Sequence, residues 1–292
     1  MKLLSTAKLT ASLVVTMIGF MAEVSWAAQQ CEQAKTFYQQ GMELGKQGKW
    51  KEALTAADKS TSLCNRFDNW YLLGQIQQKR KNYEEAGLAF VEARKFAKND
   101  NQVSIALARY AESLGALGHT VQAASLAHHA RSFSAESPAW IVDLAKKLDL
   151  ESAKKPMSKN DITRALDERA YRNLKINAKP KINMRVNFKY DSVDLISDEQ
   201  FNAQILAEAL GEPQFDDKTL TIIGHTDTTG EFSYNDSLSI RRAQAIYNKL
   251  VTINPSLKSK IVVEGKGESQ PLWSEKDDTE KMLNRRIEVR LD

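Results

Sequence analysis

Two different hydrophobic periods divide the chain near residue 180. From about residue 31 to 150, apolar residues recur at spacings of three and four positions, which predicts amphipathic helices. After Pro180, apolar and polar residues alternate from Ile182 to Tyr190, which predicts a half-buried strand. Further strands are predicted at 218–223, 260–264 and 285–291, and helices at about 198–210 and after Ser239. The pattern indicates a multidomain protein, with an all-α part followed by an α/β (α+β) sandwich of about four strands with helices on one face.

The first 27 residues have the pattern of a secretory signal peptide. A basic start, MKLLSTAK, precedes an apolar run from Leu9 to Met21, and Ser25 and Ala27 supply small residues for cleavage after Ala27. The apolar run is short for a membrane anchor, and no later segment approaches the length of a bilayer span. Cys31 does not follow a small residue, which argues against lipidation. We therefore expect a mature chain that is exported and has no transmembrane segment.

The helical part, residues 31–150, contains an internal repeat of 33 positions. The first copy consists of Phe37, Gly41, Gly48, Trp50 and Ala53, and the second of Trp70, Gly74, Lys81, Tyr83 and Ala86. A weaker third copy follows at Leu107, Ala111, Leu114, Gly118, Ala123, Ala127 and Ala130. This pattern resembles the tetratricopeptide repeat family, which implies antiparallel helix pairs stacked in a solenoid with a concave face.

The resemblance also implies positions for the two cysteines and for two tyrosines. Cys31 would begin a first helix and Cys64 would end its antiparallel partner, which favours a disulfide in an oxidising compartment; two separate buried thiols are the alternative. Tyr38 and Tyr71 would occupy equivalent positions facing the concave groove. That groove is either a binding site for a protein partner or an ordinary surface of a spacer.

Two further features, a basic segment and a pair of histidines, are interpreted without a binding or catalytic role. Residues 151–181 are basic and bracketed by prolines, which predicts a linker with one short helix from Ile162 to about Leu174. His128 and His129 are adjacent on a predicted helix, where neighbouring side chains point about 100° apart. We therefore expect surface histidines rather than a metal site.

The stretch GHTDTTGEFSYNDSLSIRRAQAI, residues 224–246, combines an acid with two arginines between a strand and a helix. Asp227 follows the carboxyl end of the predicted strand and can receive an ammonium group. With Ser239 as N-cap, Arg242 becomes the third helical residue and lies beside free amides, where a guanidinium can bind a carboxylate. Arg241 falls on the opposite face of this helix. The pair Asp227 and Arg242 therefore suits a zwitterion.

Five sequence blocks of the C-terminal part occur in the order and spacing of the OmpA-like C-terminal domain, which this segment resembles. They are FKYDS (188–192), GHTDTTG (224–230), NDSLSIRRA (235–243), GKGESQP (265–271) and NRRIEV (284–289). The resemblance assigns residues 182–292 to a peptidoglycan-binding domain whose ligand is meso-diaminopimelate. It implies Asp227, Arg242, Asn235 and Thr226 as ligand-binding residues, and Tyr190, Asp191, Gly224 and Arg286 as support. Arg285 is expected to be a strand residue near the site rather than a ligand clamp.

His225 is the one candidate general base in this motif. It has no nucleophile, metal partner or orienting acid beside it, and a packing role is expected. The net charge of +4 is too mild to indicate nucleic acid. We therefore expect a non-catalytic periplasmic protein without cofactor or metal, bound to peptidoglycan and associated with the outer membrane, that presents its repeats to an envelope protein. The alternatives are a structural spacer between wall and outer membrane, or an activator of a cell-wall hydrolase.

Overall fold

The chain divides into two compact units, with the boundary between Lys98 and Asn99. The computed structural model describes residues 6–292 except 134–135, 155, 175, 187, 189–191 and 193–202, and describes residues 6–25 by their backbone alone. Within this described part, no helix is both long enough and apolar enough to cross a bilayer.

The first unit consists of helices that pack as successive antiparallel pairs. They are α1 (Thr6–Lys46), α2 (Trp50–Leu63), α3 (Phe67–Lys79) and α4 (Tyr83–Lys95). The helices approach closely at small residues: a Cβ on Gly74 would lie 2.6 Å from the ring of Phe90. A disulfide joins Cys31 of α1 to Cys64 at the end of α2, as predicted. Because it closes a loop over a sequence separation of 33 residues, it stabilises this pair by about 4 kcal/mol in the chain-entropy model.

The turn inside each helix pair has the same backbone conformation. Gly48, Lys81 and Gly118 have φ angles of 72°, 63° and 86°, in the left-handed region, and they hold the equivalent position in the three predicted copies. A left-handed residue just after the first helix reverses the chain. The predicted helical repeat is therefore visible as repeated helical hairpins, while the likeness to tetratricopeptide repeats remains a resemblance in sequence.

The second unit begins with helices and continues into a mixed sheet. The helices are α5 (Asp100–Ala116), α6 (Thr120–Ser132), α7 (Ala139–Ser152), α8 (Lys159–Ala165), α9 (Glu168–Asn173), α10 (Ala203–Leu210), α11 (Phe232–Ile253) and α12 (Asp278–Asn284). The strands are β1 (Lys181–Met184), β2 (Leu220–Gly224), β3 (Ile261–Gly265) and β4 (Ile287–Leu291). Short 3₁₀ helices cover Pro213–Phe215 and Pro255–Ser259.

The four strands are ordered β1-β4-β2-β3. β4 is antiparallel to β1 and to β2, so Val289 lies opposite both Ile182 and Ile222. β2 and β3 are parallel, and α11 makes the crossover between them. The fold class predicted from the sequence, helices followed by a four-stranded sheet with helices, is confirmed.

The core beneath the sheet extends into helices that precede it in sequence. Ile162 of α8 and Leu166 are 2% and 0% exposed and pack in one cluster with Ile182 and Ile222, and Val121 of α6 belongs to the same cluster. The segment 151–181 thus contains two short helices in place of the single predicted one, and it contributes apolar side chains to the sheet's core. The domain boundaries at residues 150 and 181 stay a prediction.

Candidate functional site

Helix α11 begins eight residues before the predicted start. Its first residue is Phe232 and its N-cap is Glu231, so Arg242 is the eleventh residue of the helix and is remote from the free amides of the first turn. The prediction of Ser239 as N-cap was wrong. Its hydroxyl instead donates to the carbonyl oxygen of Asp236, 2.7 Å away, and accepts from the amide of Gly267 at 2.9 Å. Ser239, which resembled a helix cap in the sequence, therefore makes a tertiary hydrogen bond to the loop after β3.

Helix α11 lies directly on the ends of β2 and β3 at Ser239, which is fully buried. A Cβ on Gly224 would come within 2.7 Å of the carbonyl carbon of Ser239 and closer still to its oxygen. A Cβ on Gly265 would lie 2.5 Å from the Ser239 hydroxyl oxygen. Gly224 thus allows close helix–strand packing, which is a supporting position for the site. This contact sets the position of the loop that follows β2.

Asp227 lies in that loop, with only 6% of its surface exposed. Its Oδ1 accepts a hydrogen bond from the amide of Thr229 at 3.0 Å. Its Oδ2 forms a short ion pair with Nη1 of Arg285, whose side chain is 47% exposed. Arg285, predicted to be a neighbouring strand residue, precedes β4 and is the cationic partner of Asp227.

Asn235 and Thr226 hold the loop in place. The Nδ2 of Asn235 donates to the carbonyl oxygens of Asp227 and Thr229, both at 3.2 Å, and to Oε2 of Glu268 at 2.6 Å. The amide of Thr226 donates to the carbonyl oxygen of Gly267 at 2.9 Å. The bonds to the two carbonyl oxygens and from the Thr226 amide join the Asp227 loop to α11 and to the loop after β3, and the bond to Glu268 joins α11 to the loop after β3. Both residues therefore act on the shape of the site.

Arg242 contacts a different segment, the one that follows β1. Its guanidinium lies over the ring of Phe188, 4.8 Å from the centroid, and its Nε donates to the carbonyl oxygen of Ser192 at 3.3 Å. Arg241, one position earlier, is exposed, and its guanidinium is 5.9 Å from the ring centroid of Tyr234. The two arginines therefore differ in environment as the helical pattern predicted.

Arg286 lies behind the site, with 6% of its surface exposed. It donates to Oδ1 of Asn183 at 3.0 Å and to the carbonyl oxygen of Gln270 at 3.2 Å, and it lies 3.9 Å from Oε2 of Glu288. Burial lowers its pKa to about 10, against the opposing attraction of Glu288. Arg286 thus joins β1, β4 and the loop after β3, a supporting position.

His225 is buried next to Arg286, and its amide donates to the Arg286 carbonyl oxygen at 3.0 Å. Among the described residues, neither ring nitrogen of His225 has a hydrogen-bond partner, and the same holds for Oγ1 of Thr226. Burial, followed by the charges of Arg286, Lys181 and Lys266, lowers the pKa of His225 to about 2. An imidazole with such a low pKa is a very weak base at neutral pH, which agrees with a packing role.

The remaining predicted residues fall elsewhere. Tyr190 and Asp191 lie outside the described residues. Tyr38 packs partly buried against the apolar cluster of the first unit, and Tyr71 stacks on Phe67 with 5.3 Å between ring centroids. Both tyrosines therefore have packing partners within their own unit, and their role in a partner groove stays a prediction.

The expectation of surface histidines on α6 was wrong. His129 is 8% exposed and meets Tyr171 edge-to-face, with 5.2 Å between ring centroids. The Nε2 of His128 lies 2.9 Å and 3.0 Å from the two carboxylate oxygens of Asp149 on α7. Both residues are covered because α7, α9 and the C-terminal part pack against α6. The helical period of α6 does not predict contacts with segments that are distant in sequence.

Comparison with known proteins places this site in a family. Residues 187–285 match the OmpA family. Outer membrane porin F of Pseudomonas aeruginosa is 28% identical over 112 residues, which cover 38% of this chain and 31% of the porin. Outer membrane protein A of Bordetella avium is 37% identical over 76 residues, 25% of this chain and 38% of that protein. The chain thus spans about a third of the length of these curated relatives.

A solved structure, the peptidoglycan-associated lipoprotein from Burkholderia pseudomallei, has 22% sequence identity and a TM-score of 0.33, and the match covers 40% of this chain and 92% of that one. The five sequence blocks lie within residues 188–289 and the family match covers residues 187–285, so both concern the segment that carries the site. The C-terminal part of this chain is therefore an OmpA family domain.

Proposed function

We propose that the C-terminal domain binds peptidoglycan non-covalently through the zwitterionic end of meso-diaminopimelate. Asp227 receives the ammonium group and Arg242 the carboxylate. The observation that carries this proposal is the carboxylate of Asp227, which is buried and paired with the guanidinium of Arg285 within the segment that matches the OmpA family. A carboxylate has about four acceptor positions, and the described donors to Asp227 are the Thr229 amide and Arg285. A ligand ammonium can therefore share this carboxylate with Arg285.

The surroundings of Arg242 suit its part of the proposal. Stacking on Phe188 and the bond to the Ser192 carbonyl restrain the plane of the guanidinium. A planar guanidinium held in this way binds a carboxylate through two parallel N–H groups. The ligand carboxylate would then lie near the segment after β1, and its ammonium near the loop after β2.

The proposed role is to hold the protein on the cell wall without changing the ligand. Binding needs no general base, and His225 with its pKa of about 2 supplies none. We place the protein in the periplasm, on peptidoglycan and near the outer membrane; the names of two relatives mention the outer membrane. In this proposal the helical repeats, with Tyr38 and Tyr71, present a surface to a protein of the envelope.

Charge-specific substitutions test the pocket by sedimentation with purified sacculi. Asp227→Asn removes the charge and keeps an oxygen for the Thr229 amide, and Arg242→Gln removes the guanidinium. Each leaves one ligand charge unpaired, which costs about 2–5 kcal/mol, or roughly 30-fold to several-thousand-fold in affinity. Arg241→Gln removes the same charge from the exposed neighbouring position and is the matched control.

The expected result is loss of sedimentation for Asp227→Asn and Arg242→Gln with unchanged circular dichroism, and retention for Arg241→Gln. Free meso-diaminopimelate should displace the wild type, and lysine, which lacks the second zwitterionic end, should not. Equal weakening by Arg241→Gln and Arg242→Gln, with salt removing the remainder, would show non-specific attraction between a basic protein and an anionic wall.

A further inference from the structure

The segment Leu272–Asp277 between β3 and α12, here called the bridge segment, is fastened to helices that lie more than 120 positions earlier in the chain. Trp273 is 5% exposed, and its Nε1 donates to Oδ2 of Asp149 on α7 at 2.8 Å. The guanidinium of Arg131 lies over the Trp273 ring, 4.3 Å from the centroid, and the His128 ring meets it edge-on at 5.7 Å. Trp273 is therefore enclosed by side chains of α6 and α7.

A second contact fastens the far end of the bridge segment to α7. The Nζ of Lys146 lies 3.1 Å from Oδ2 of Asp277 and 3.0 Å from Oε1 of Glu280. Glu280 is itself buried and accepts the amide of Lys276 at 2.9 Å. Helix α7 thus holds both ends of the bridge segment, at Trp273 and at Asp277.

The middle of the bridge segment holds the loop that carries Asp227. The carboxylate of Glu275 accepts the amide of Thr228 at 3.1 Å and its hydroxyl at 2.6 Å. Glu275 has a φ of 63°, a left-handed conformation that a non-glycine residue adopts only where its surroundings impose it. Asn284 helps to hold Glu275 in this conformation. Its Nδ2 donates to the Trp273 carbonyl oxygen and to Oε1 of Glu275, both at 2.8 Å.

We propose that Glu275 is a positioning residue for the ligand pocket and that the docking of Trp273 on Asp149 sets its position. Thr228, which Glu275 holds, is bonded directly to Asp227, so a displaced bridge segment moves the loop that presents the carboxylate. Helices α6 and α7 therefore control the affinity of the pocket, and the ligand in turn stabilises their docking, because coupling between two sites is reciprocal. The affinity part of this inference rests on the proposed function; the coupling of Trp273 to the loop does not.

Two variants of the full chain loosen the bridge segment at different points. Trp273→Phe retains an aromatic ring for Arg131 and removes the Nε1–H that binds Asp149. Lys146→Met acts on the partly exposed ion pairs of α7 and leaves the core untouched. Trp140→Phe is the matched control, because Trp140 is also on α7 but packs under Arg109, 4.4 Å from its guanidinium.

The readouts are amide exchange of Thr228 by NMR and the affinity for a purified muropeptide that contains meso-diaminopimelate. In Trp273→Phe and Lys146→Met we expect Thr228 exchange to rise about tenfold or more, with β2 and β4 amides unchanged. Muropeptide affinity should fall about fivefold or more in the same variants. The Trp273 indole signal, identified by its loss in Trp273→Phe, should shift when the muropeptide is added to the wild type.

Thr228 exchange that stays within about twofold of the wild type in Lys146→Met would overturn the inference, even if Trp273→Phe failed to fold. A similar rise in Trp140→Phe would overturn it too, since the effect would then be a general loosening of α7. If the wild type does not bind the muropeptide, the proposed function fails, and the exchange data still decide whether α7 positions the loop.

Discussion

Replacing Gly224 with alanine should damage the domain at the point where α11 crosses the sheet. The added methyl carbon would lie 2.7 Å from the carbonyl carbon of Ser239. An unstrained contact begins near 3.4 Å, so the backbone of α11 must retreat by at least about 0.7 Å, the difference between the two distances. Both atoms belong to backbone or are fixed to it, and a rotamer change cannot relieve the clash. We expect a loss of about 3 kcal/mol, at the upper end of overpacking costs.

Urea denaturation of the full chain, followed by circular dichroism, measures this loss. Gly45→Ala is the control, because Gly45 lies inside α1 and a Cβ there would meet the Trp50 ring at an ordinary 3.6 Å. That substitution should be neutral or stabilise by about 0.5–1 kcal/mol through helix propensity. Gly265→Ala, whose Cβ would lie 2.5 Å from the Ser239 hydroxyl oxygen and 2.7 Å from the backbone nitrogen of Ile240, should cost a similar amount, since a rotamer change cannot relieve the backbone contact.

A Gly224→Ala protein whose free energy of unfolding is within about 0.5 kcal/mol of the wild type would refute this reasoning, because that is the scatter of harmless surface changes. Such a result would mean that α11 can move away from β2 at little cost. The loop bearing Asp227 would then be positioned by its own hydrogen bonds rather than by the helix–strand contact.

Three further outcomes follow from the structure. Lys81→Gly should stabilise the first unit by up to about 1 kcal/mol in thermal unfolding, because the lysine occupies a left-handed conformation, with φ of 63°. Destabilisation would mean that contacts of the lysine side chain stabilise the unit by more than the backbone strain destabilises it. Burial, followed by the charges of Lys181 and His128, lowers the pKa of His129 to about 4. The unfolded chain therefore binds a proton between pH 6.5 and 4 that the folded chain does not, and stability should fall with falling pH by up to about 1.4 kcal/mol per unit. His129→Gln should remove this part of the decline in urea titrations and leave the part due to His225, whose pKa is also lowered; an unchanged slope would exclude His129 as a cause. A fragment of residues 99–292 should melt cooperatively. A fragment of residues 182–292 should melt at a lower temperature or without cooperativity, because it lacks the α8 side chains of the shared core. Equal melting temperatures of the two fragments would support the boundary predicted at residue 181.

Several features of this protein are determined locally and could be predicted from its sequence. The change of hydrophobic period near residue 180 separates helices from strands, because side-chain burial repeats every 3.6 residues in one and every two in the other. The pairing of Cys31 with Cys64 followed from the repeat, since the ends of an antiparallel helix pair are neighbours. The different environments of Arg241 and Arg242 also followed from helical geometry alone.

Other features depend on contacts between segments that are distant in sequence, and a local sequence pattern does not predict such contacts. Ser239 resembled a helix cap, but its hydroxyl is bonded to Gly267 across the fold, and the helix continues through it from Phe232. The pairing of Arg285 with Asp227 joins loops 58 positions apart, and strand alternation does not indicate which arginine turns toward the site. Trp273 is enclosed because α6 and α7 pack against the bridge segment, and burial of a polar group depends on what the whole chain places around it.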